Sequence, residues 1–310
     1  TEWMKGAFGI MMHILPDSSS IGRINRNMSA KAIIDQVEEA GADYFLVSIG
    51  QMSGYYLGPN ERFSSIVSAL PDRRFTDTDF IKEFADECRA RGMKFMVYVP
   101  TFPPNTVRNR NGWDWTDFGM PEADIQVHTR DSAMLWASVL REWSVRYGDL
   151  IDGWWVDGGA MRTVDIEVFE MLGCALRVGN AKAAVAYNSG ATFENVCQYN
   201  GTEQLFPFGK DESDEQLWNK ENWLLPSTEV DWNRDLQWTM LTLIGKGWMN
   251  NDFPRTRVYP PELWAEYYKA IQEQDGLLLL DVPINTSTDY TITNEAMEIL
   301  KAVGDAKISS

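Results

Sequence analysis

Residues 152–161, "DGWWVDGGAM", place two tryptophans and a valine between two aspartates and then continue into a pair of glycines. A strand that is covered on both faces is a short, nearly continuous apolar run, and residues 153–156 have that character. Asp157 then stands at the tip of a buried strand, where loss of water costs free energy unless partners or chemistry compensate. The glycines after it permit a sharp turn and close approach of a ligand. The stretch predicts a strand that delivers Asp157 into a cleft, with a purely structural carboxylate as the alternative, whereas Asp152 at its start is expected to be structural.

Segments of strand character alternate with segments of helix character along most of the chain. Repeated strand–helix units indicate a parallel sheet, and six or more of them in 310 residues favour a closed barrel over an open sheet. No Gly-x-Gly-x-x-Gly turn follows the first strand, which argues against a dinucleotide-binding fold. We therefore predict one α/β domain over residues 1–310, a (β/α)8 barrel of the TIM type. The predicted strands are 8–15, 44–49, 94–99, the stretch ending at Asp157, 183–187 and 277–282, and the predicted helices are 30–40, 77–91, 132–147, 165–178 and 294–303.

Polar residues stand at the C-terminal tips of several predicted strands, where barrel enzymes place their active sites. His13 follows the first strand, Gln51 the second and Asn188 the fifth. Since the tips of parallel strands lie at one end of a barrel, we expect these side chains to converge with Asp157 and to contact the ligand.

The composition limits the class of ligand. The formal net charge of −17 argues against nucleic acid or an anionic membrane surface as a partner. No apolar run approaches the roughly 20 residues of a membrane-spanning helix. Tryptophan accounts for 13 of the 310 residues, and aromatic rings fit the C–H faces of sugars. We therefore predict a carbohydrate ligand, with Tyr55, Trp155 and Trp238 as candidate aromatic contacts, and leave the oligomeric state open.

The sequence begins at Thr1 rather than at Met. We expect a processed, extracytoplasmic protein whose signal peptide has been removed, with a cytoplasmic location as the alternative.

Histidine and cysteine are too scarce to indicate a metal site. The two histidines, His13 and His128, are not part of any metal-binding spacing. Cys88, Cys174 and Cys197 are too scattered for a zinc site or a disulfide framework. We expect no metal and no cofactor, and we expect Cys88 and Cys174, which lie in helical apolar patterns, to be buried free thiols.

Five stretches resemble, in the same order along the chain, the catalytic barrel of the glycoside hydrolase family 29 α-L-fucosidases. "YGDLIDGWWVDGG" (147–159) is similar to their Tyr-Gly, Ile-Asp, Trp-Phe-Asp-Gly segment, whose last aspartate is the nucleophile. "DGLLLLDVPINTSTDYTI" (275–292) resembles their Gly-Asn-Leu-Leu-Leu-Asn strand and the loop after it. The resemblance implies a retaining glycosidase with Asp157 as nucleophile, releasing a fucose-like or related sugar from a non-reducing end. The other three stretches are "WMKGAFGIMMHIL" (3–15), "AGADYFLVSIGQMSGYYLGPN" (40–60) and "FADECRARGMKFMVYVP" (84–100).

The chain differs from this family in the motifs whose residues bind the sugar in family members. Gln51, Met52 and Ser53 replace a double histidine and an aspartate, and only the histidine of a His-Trp-Gly motif remains, as His13. Trp238 is followed by threonine where the family usually has Trp-Glu. These changes predict weak activity on simple fucosides. We also expect no C-terminal β-sandwich of the kind found in many members.

Glycoside hydrolysis needs a second carboxyl group that protonates the leaving oxygen. Glu203 in "YNGTEQLFP" (199–207) resembles a Gly-Thr-Pro-Glu segment of the family and is the first candidate. Glu229 and Asp231 in "PSTEVDWN" (226–233) are the alternatives, and Glu229 is also a candidate substrate contact. A barrel that binds carbohydrate but has lost catalysis remains the competing functional hypothesis.

Overall fold

A computed structural model gives the architecture of the protein. It describes residues 2–51, 53–67, 74–104, 117–119, 129–158, 166–188, 199–203, 207–208, 213–226, 237–248 and 257–307, and for residues 199–203 it describes the backbone.

Eight β-strands alternate with α-helices in the described chain. The strands are β1 (Phe8–Met12), β2 (Tyr44–Ser48), β3 (Lys94–Pro100), β4 (Gly153–Asp157), β5 (Ala184–Tyr187), β6 (Tyr199–Glu203), β7 (Gln237–Leu243) and β8 (Leu277–Asp281). The helices are α1 (Ile21–Asn27), α2 (Ala30–Glu39), α3 (Glu61–Ile66), α4 (Phe80–Ala90), α5 (Arg130–Tyr147), α6 (Ile166–Leu176), α7 (Asp214–Leu217), α8 (Pro261–Gln272) and α9 (Asn294–Asp305). Short 3₁₀ turns lie at Glu2–Met4, Gly148–Leu150 and Lys220–Asn222.

All strands belong to one parallel sheet in the order β5-β4-β3-β2-β1-β8-β7-β6. The α/β class and the TIM-like arrangement predicted from the sequence are therefore confirmed. The prediction of a closed eight-stranded barrel is wrong for the described chain, in which no hydrogen-bonded pairing joins β5 to β6. The reason lies in the pairing of the two strands: among the described residues β5 bonds only to β4 and β6 only to β7, so the edges that these two strands turn toward each other stay unbonded.

Side chains from successive strands fill the interior of the sheet. Met11 of β1, Leu46 of β2, Met96 of β3 and Trp155 of β4 are fully buried in one apolar cluster. Because this cluster occupies the middle of the barrel, a ligand has access only above it, at the strand ends. Its other members are Met4, Ala7, Tyr44, Tyr98, Ala184, Ala186, Leu241, Leu277 and Leu279.

Two aspartates at the opposite end, where the strands begin, tie neighbouring strands together. Asp43, before β2, accepts a hydrogen bond from the backbone N–H of Phe8 at 2.8 Å. Asp152, before β4, accepts a hydrogen bond from the backbone N–H of Phe95 at 3.0 Å. It also forms an ion pair with Lys94 Nζ at 2.8 Å. The contacts agree with the structural role expected for Asp152.

The two expected buried thiols differ in exposure. Cys88 is buried in α4, and burial raises the pKa of its thiol. Cys174 lies on the exposed face of α6, so the expectation of a buried thiol is wrong there. The residues of that turn that face the core are Leu172, Gly173, Ala175 and Leu176, so Cys174 lies among buried neighbours in the sequence although its own side chain points outward. No helix of the described chain has both the length and the apolar character needed to cross a membrane.

The packing of Gly9 against Tyr44 gives a testable prediction about the barrel interior. A Cβ atom at Gly9 would stand 2.1 Å from Tyr44 Cζ, so the added atom would overlap the tyrosine ring. Gly9→Ala should therefore lower the free energy of unfolding by about 1–3 kcal/mol or more, because a packed core cannot admit the added methyl group without moving a ring. Urea unfolding measures the effect.

Gly22→Ala is the matched control. Gly22 lies in α1, and the nearest atom to an added Cβ is Arg26 Nη1 at 3.4 Å. The change should leave stability unchanged or raise it by about 0.4–1 kcal/mol, because alanine restricts the unfolded chain. Equal stability of the two variants would contradict the close packing of Gly9 on Tyr44.

Candidate active site

A cavity of about 160 Å³ lies at the C-terminal end of the sheet. Asp157 is the last residue of β4, His13 follows β1 directly after Met12, and Asn188 follows β5. The parallel arrangement thus brings the predicted strand tips together. The described residues that line the cavity are Met11, His13, Gln51, Tyr98, Trp155, Asp157, Asn188, Leu241 and Trp248.

The carboxylate of Asp157 is held by two side chains from the adjoining strands. Tyr98 Oη donates to Oδ2 at 2.7 Å, and Asn188 Nδ2 donates to Oδ1 at 2.7 Å. The backbone is fixed as well, because the N–H and the hydroxyl of Thr101 both donate to the Asp157 carbonyl, at 2.7 and 2.6 Å. Gly158 then turns the chain with a φ of +89°, a value that favours glycine. Asp157 therefore presents an oriented carboxylate to the cavity.

A third polar group extends this network. Gln51 Nε2 donates to Tyr98 Oη at 2.8 Å, and Tyr98 in turn donates to Asp157. The amide thereby directs the tyrosine proton toward the carboxylate. Gln51, predicted as a ligand contact, lies in the cavity wall and also positions the hydroxyl beside Asp157.

A second hydrogen-bonded pair lies in the wall formed by β1 and β8. His13 Nδ1 is 2.6 Å from Asp281 Oδ1, and the side chains are 12% and 2% exposed. The His13 ring lies edge-to-face with Tyr98, at a centroid distance of 5.6 Å, and with Trp248, at 5.8 Å. Tyr98 thus separates His13 from Asp157 in the cavity wall.

Aromatic and apolar residues form the remaining surface of the cavity. Trp155 is fully buried and closes the floor together with Met11 and Leu241, whereas Trp248 is partly exposed. A polar rim over an apolar floor suits a molecule with hydroxyl groups and C–H faces.

Two predicted contacts lie away from this cavity. The Tyr55 ring packs under the Arg74 guanidinium, at 4.9 Å from the ring centroid, and does not line the cavity. Trp238 is the second residue of β7, and since parallel strands all begin at the far end of the sheet, it lies at the end opposite the site.

Glu203, the first candidate for the general acid, stands at the end of a strand. Glu203 is the last residue of β6, and its backbone pairs in register with Leu241, which lines the cavity. Its side chain lies outside the described atoms, and Met52, His128, Glu229 and Asp231 lie outside the described residues.

Five described residues of the site were not among those predicted: Met11, Tyr98, Leu241 and Trp248, which line the cavity, and Asp281, which contacts His13. For Asp281 a signal was available, because "LLLLD" at 277–281 is also a buried strand that ends on a carboxylate. Tyr98 and Trp248 are aromatic residues among many, and no local pattern distinguishes them. The described residues include no cluster of three or more His, Cys, Asp or Glu side chains able to hold a metal ion.

Solved structures with a similar fold carry names related to fucose. An endo-fucoidan hydrolase of glycoside hydrolase family 107, MfFcnA4, superposes with a TM-score of 0.72 at 16% identity, over 98% of this chain and 53% of its own. The α-L-fucosidase AlfC from Lactobacillus casei, in complex with α-L-fucose, gives 0.63 at 16% identity, over 98% and 96%. A structure described as a putative α-L-fucosidase from Bacteroides thetaiotaomicron gives 0.68 at 14% identity, over 98% and 66%.

These likenesses show a shared fold. The chain spans about half the length of the fucoidan hydrolase MfFcnA4. No family model and no curated protein matches the sequence.

The contacts of Asp157 predict that two substitutions of this residue lower the stability of the protein by different amounts. Asp157→Ala removes the acceptor for both Tyr98 and Asn188 and should lower the free energy of unfolding by about 1–3 kcal/mol. Asp157→Asn keeps one oxygen acceptor and should therefore lower the free energy of unfolding by less than Asp157→Ala does. Thermal and urea unfolding measure both values, and an alanine variant more stable than the wild type would contradict the importance of these hydrogen bonds.

Proposed function

We propose that this protein is a retaining glycoside hydrolase that releases a fucose-like sugar from a non-reducing end, with Asp157 as the nucleophile. The observation that carries the proposal is the oriented carboxylate of Asp157, fixed by Tyr98 and Asn188 at the end of β4 inside a cavity. Support comes from the fold, which is shared with proteins described as fucosidases and fucoidan hydrolases.

In the first step, a carboxylate oxygen of Asp157 attacks the anomeric carbon of the bound sugar. The new C–O bond forms while the glycosidic C–O bond breaks, and the departing oxygen takes a proton from the general acid. Tyr98 and Asn188 contribute by orienting the nucleophile, because correct alignment before reaction removes much of the entropic cost of the step.

In the second step, water attacks the anomeric carbon of the glycosyl–enzyme intermediate. It approaches from the face of the sugar ring that the leaving group left. The residue that donated the proton now takes one from water, and Asp157 leaves as a carboxylate. Two inversions restore the configuration at the anomeric carbon, and the reaction therefore retains it.

Glu203 is the residue we propose for this acid and base role. The proposal is supported by its backbone position at the end of β6, opposite Leu241 of the cavity wall. A retaining enzyme needs its two carboxyl groups roughly 5–5.5 Å apart, so the proposal requires the Glu203 carboxyl group to come within that distance of Asp157.

The cavity favours a single sugar unit over a long segment of polysaccharide. Its volume of about 160 Å³ is small for a ligand site, and Trp155 closes its floor. We infer that the sugar ring enters from the open end, with an apolar face toward the tryptophans.

The function is tested by a screen of aryl glycosides of fucose, galactose, arabinose and rhamnose. Asp157→Asn should lower the rate on any substrate found by about 10⁴-fold or more, because the covalent step is lost. Asp152→Asn is the matched control: it makes the same chemical change at the other end of β4 and should keep the activity. We expect simple α-L-fucosides to be weak substrates because Gln51 and Met52 replace sugar-gripping groups.

The outcomes of this screen separate the two functional hypotheses. Wild-type turnover by Asp157→Asn would contradict the nucleophile assignment. Sugar binding without turnover of any glycoside would favour the carbohydrate-binding barrel.

The general acid is tested by its dependence on the leaving group. Glu203→Ala should lower activity by about 10²–10⁴-fold on substrates with poor leaving groups and far less on activated aryl glycosides, which depart without a proton. Azide should rescue the variant by attacking the intermediate. Glu229→Ala and Asp231→Ala are the comparison variants, and an equal loss on all substrates for Glu203→Ala would indicate a binding or folding role.

A further inference from the structure

A second cavity, of about 160 Å³, lies between α4 and the sheet, outside the barrel interior. It stands where β3 and β4 begin, at the end of the sheet opposite Asp157. None of its lining residues also lines the cavity around Asp157, so its role is independent of the proposed glycosidase function. We call it the α4 cavity; its charged lining residues are Arg89, Lys94 and Asp152, and its apolar ones include Met93, Phe95 and Leu150.

The two cations of the α4 cavity are held by neighbouring groups. Arg89 Nη2 donates to the carbonyl oxygen of Asp149 at 2.7 Å, and Lys94 Nζ pairs with Asp152 Oδ1 at 2.8 Å. The Asp149 carboxylate is 3.7 Å from Arg89 but 84% exposed, so water screens most of its charge. Two cations and one carboxylate line the cavity, which leaves one positive charge without a counterion in the lining.

The hydrogen-bonding capacity that remains in the α4 cavity belongs to donors. A guanidinium carries five N–H groups and an ammonium three. In the described chain Arg89 uses only Nη2, and Lys94 Nζ has a single acceptor. Asp152, in contrast, has a partner on each carboxylate oxygen, Lys94 Nζ on one and the Phe95 N–H on the other. The spare groups are therefore positively charged donors, which bind a carboxylate more strongly than a neutral acceptor.

The rest of the cavity limits the size and character of a ligand. Met93 is 9% and Phe95 1% exposed, and together with Leu150 they give the cavity an apolar wall. A cavity of roughly 150 Å³ accommodates a benzene ring. A ligand with one negative charge and a short apolar part would match both the donors and this wall.

We propose that the α4 cavity is a binding site for a small organic monocarboxylate. The carboxylate accepts hydrogen bonds from Arg89 and Lys94, and the apolar part packs against Met93 and Leu150. A single negative charge balances the lining, whereas phosphate and sulfate offer no apolar part to the wall. The cavity around Asp157 discriminates against the same ligand, because the Asp157 carboxylate repels a second one.

Isothermal titration calorimetry with benzoate tests the proposal. We expect saturable binding to one site with a Kd of about 1 mM or tighter, a value within reach of a ligand of about nine non-hydrogen atoms. Arg89→Gln should weaken binding by about tenfold, because a charge-assisted hydrogen bond is lost. Arg26→Gln, at an exposed position of α1, is the matched control: it removes the same charge and should leave the Kd unchanged.

Three further probes separate the features of benzoate that the proposal uses. Methyl benzoate lacks the charge, phosphate lacks the apolar ring and benzylamine carries the opposite charge, so each should bind at least about tenfold more weakly than benzoate. Equal binding of the ester would mean that the apolar wall acts alone, and tighter binding of phosphate would indicate an oxyanion site; either result would overturn the proposal. So would benzoate binding that Arg89→Gln leaves unchanged, or the absence of saturable binding at millimolar concentration.

Gly92 allows a second test that leaves both cations in place. It lines the cavity with a φ of +69°, and an added Cβ would meet no atom beyond its chain neighbours within 4 Å. Asparagine and aspartate tolerate this backbone better than most residues, so Gly92→Asn and Gly92→Asp differ in charge alone. Gly92→Asp should bind benzoate about threefold or more weakly than Gly92→Asn, because its carboxylate repels that of the ligand. Equal affinity of the two variants for benzoate would overturn the placement of the carboxylate in the α4 cavity.

Discussion

The parallel register of β3 and β4 is the constraint on which the site depends. It sets Tyr98 beside Trp155 and Pro100 beside Asp157. Because side chains alternate along a strand, Trp155 and Asp157 both face the barrel interior, and Tyr98 reaches up from the neighbouring strand to the Asp157 carboxylate. A slip of one residue would turn Asp157 toward the surrounding helices and remove its two donors. The register thus fixes the orientation of the Asp157 carboxylate in the cavity.

Much of the fold could be predicted because buried strands and amphipathic helices leave local patterns. The strands that hold His13, Asp157 and Asn188 were recognisable as apolar runs, and their shared direction was enough to bring the three residues together. The gap between β5 and β6 could not be predicted, because it depends on whether two particular strands meet. That question concerns pairing in space, to which a polar segment such as residues 199–203 gives little guide.

The candidate site was predicted less completely, and there are physical reasons why some predicted residues lie away from the cavity. Tyr55 was chosen for its aromatic ring, but Arg74 offers that ring a cation, and the two pack together. Trp238 was also chosen for its aromatic ring, yet its place at the start of β7 puts it at the far end of the sheet. Asp281 was missed although its strand has the same pattern as that of Asp157. Distinguishing the two carboxylates requires knowing that His13 lies beside one of them.

The aspartates that begin β2 and β4 have a consequence for how such a protein changes over evolutionary time. Asp43 and Asp152 bind the backbone of adjoining strands at the end remote from Asp157. These two ties between strands therefore involve no residue that lines the cavity around Asp157. Substitutions at the Asp157 end leave both ties in place, because neither aspartate nor its partners stand there. The end of the sheet where the strands begin and the end that carries Asp157 can therefore change in sequence separately with respect to these two contacts.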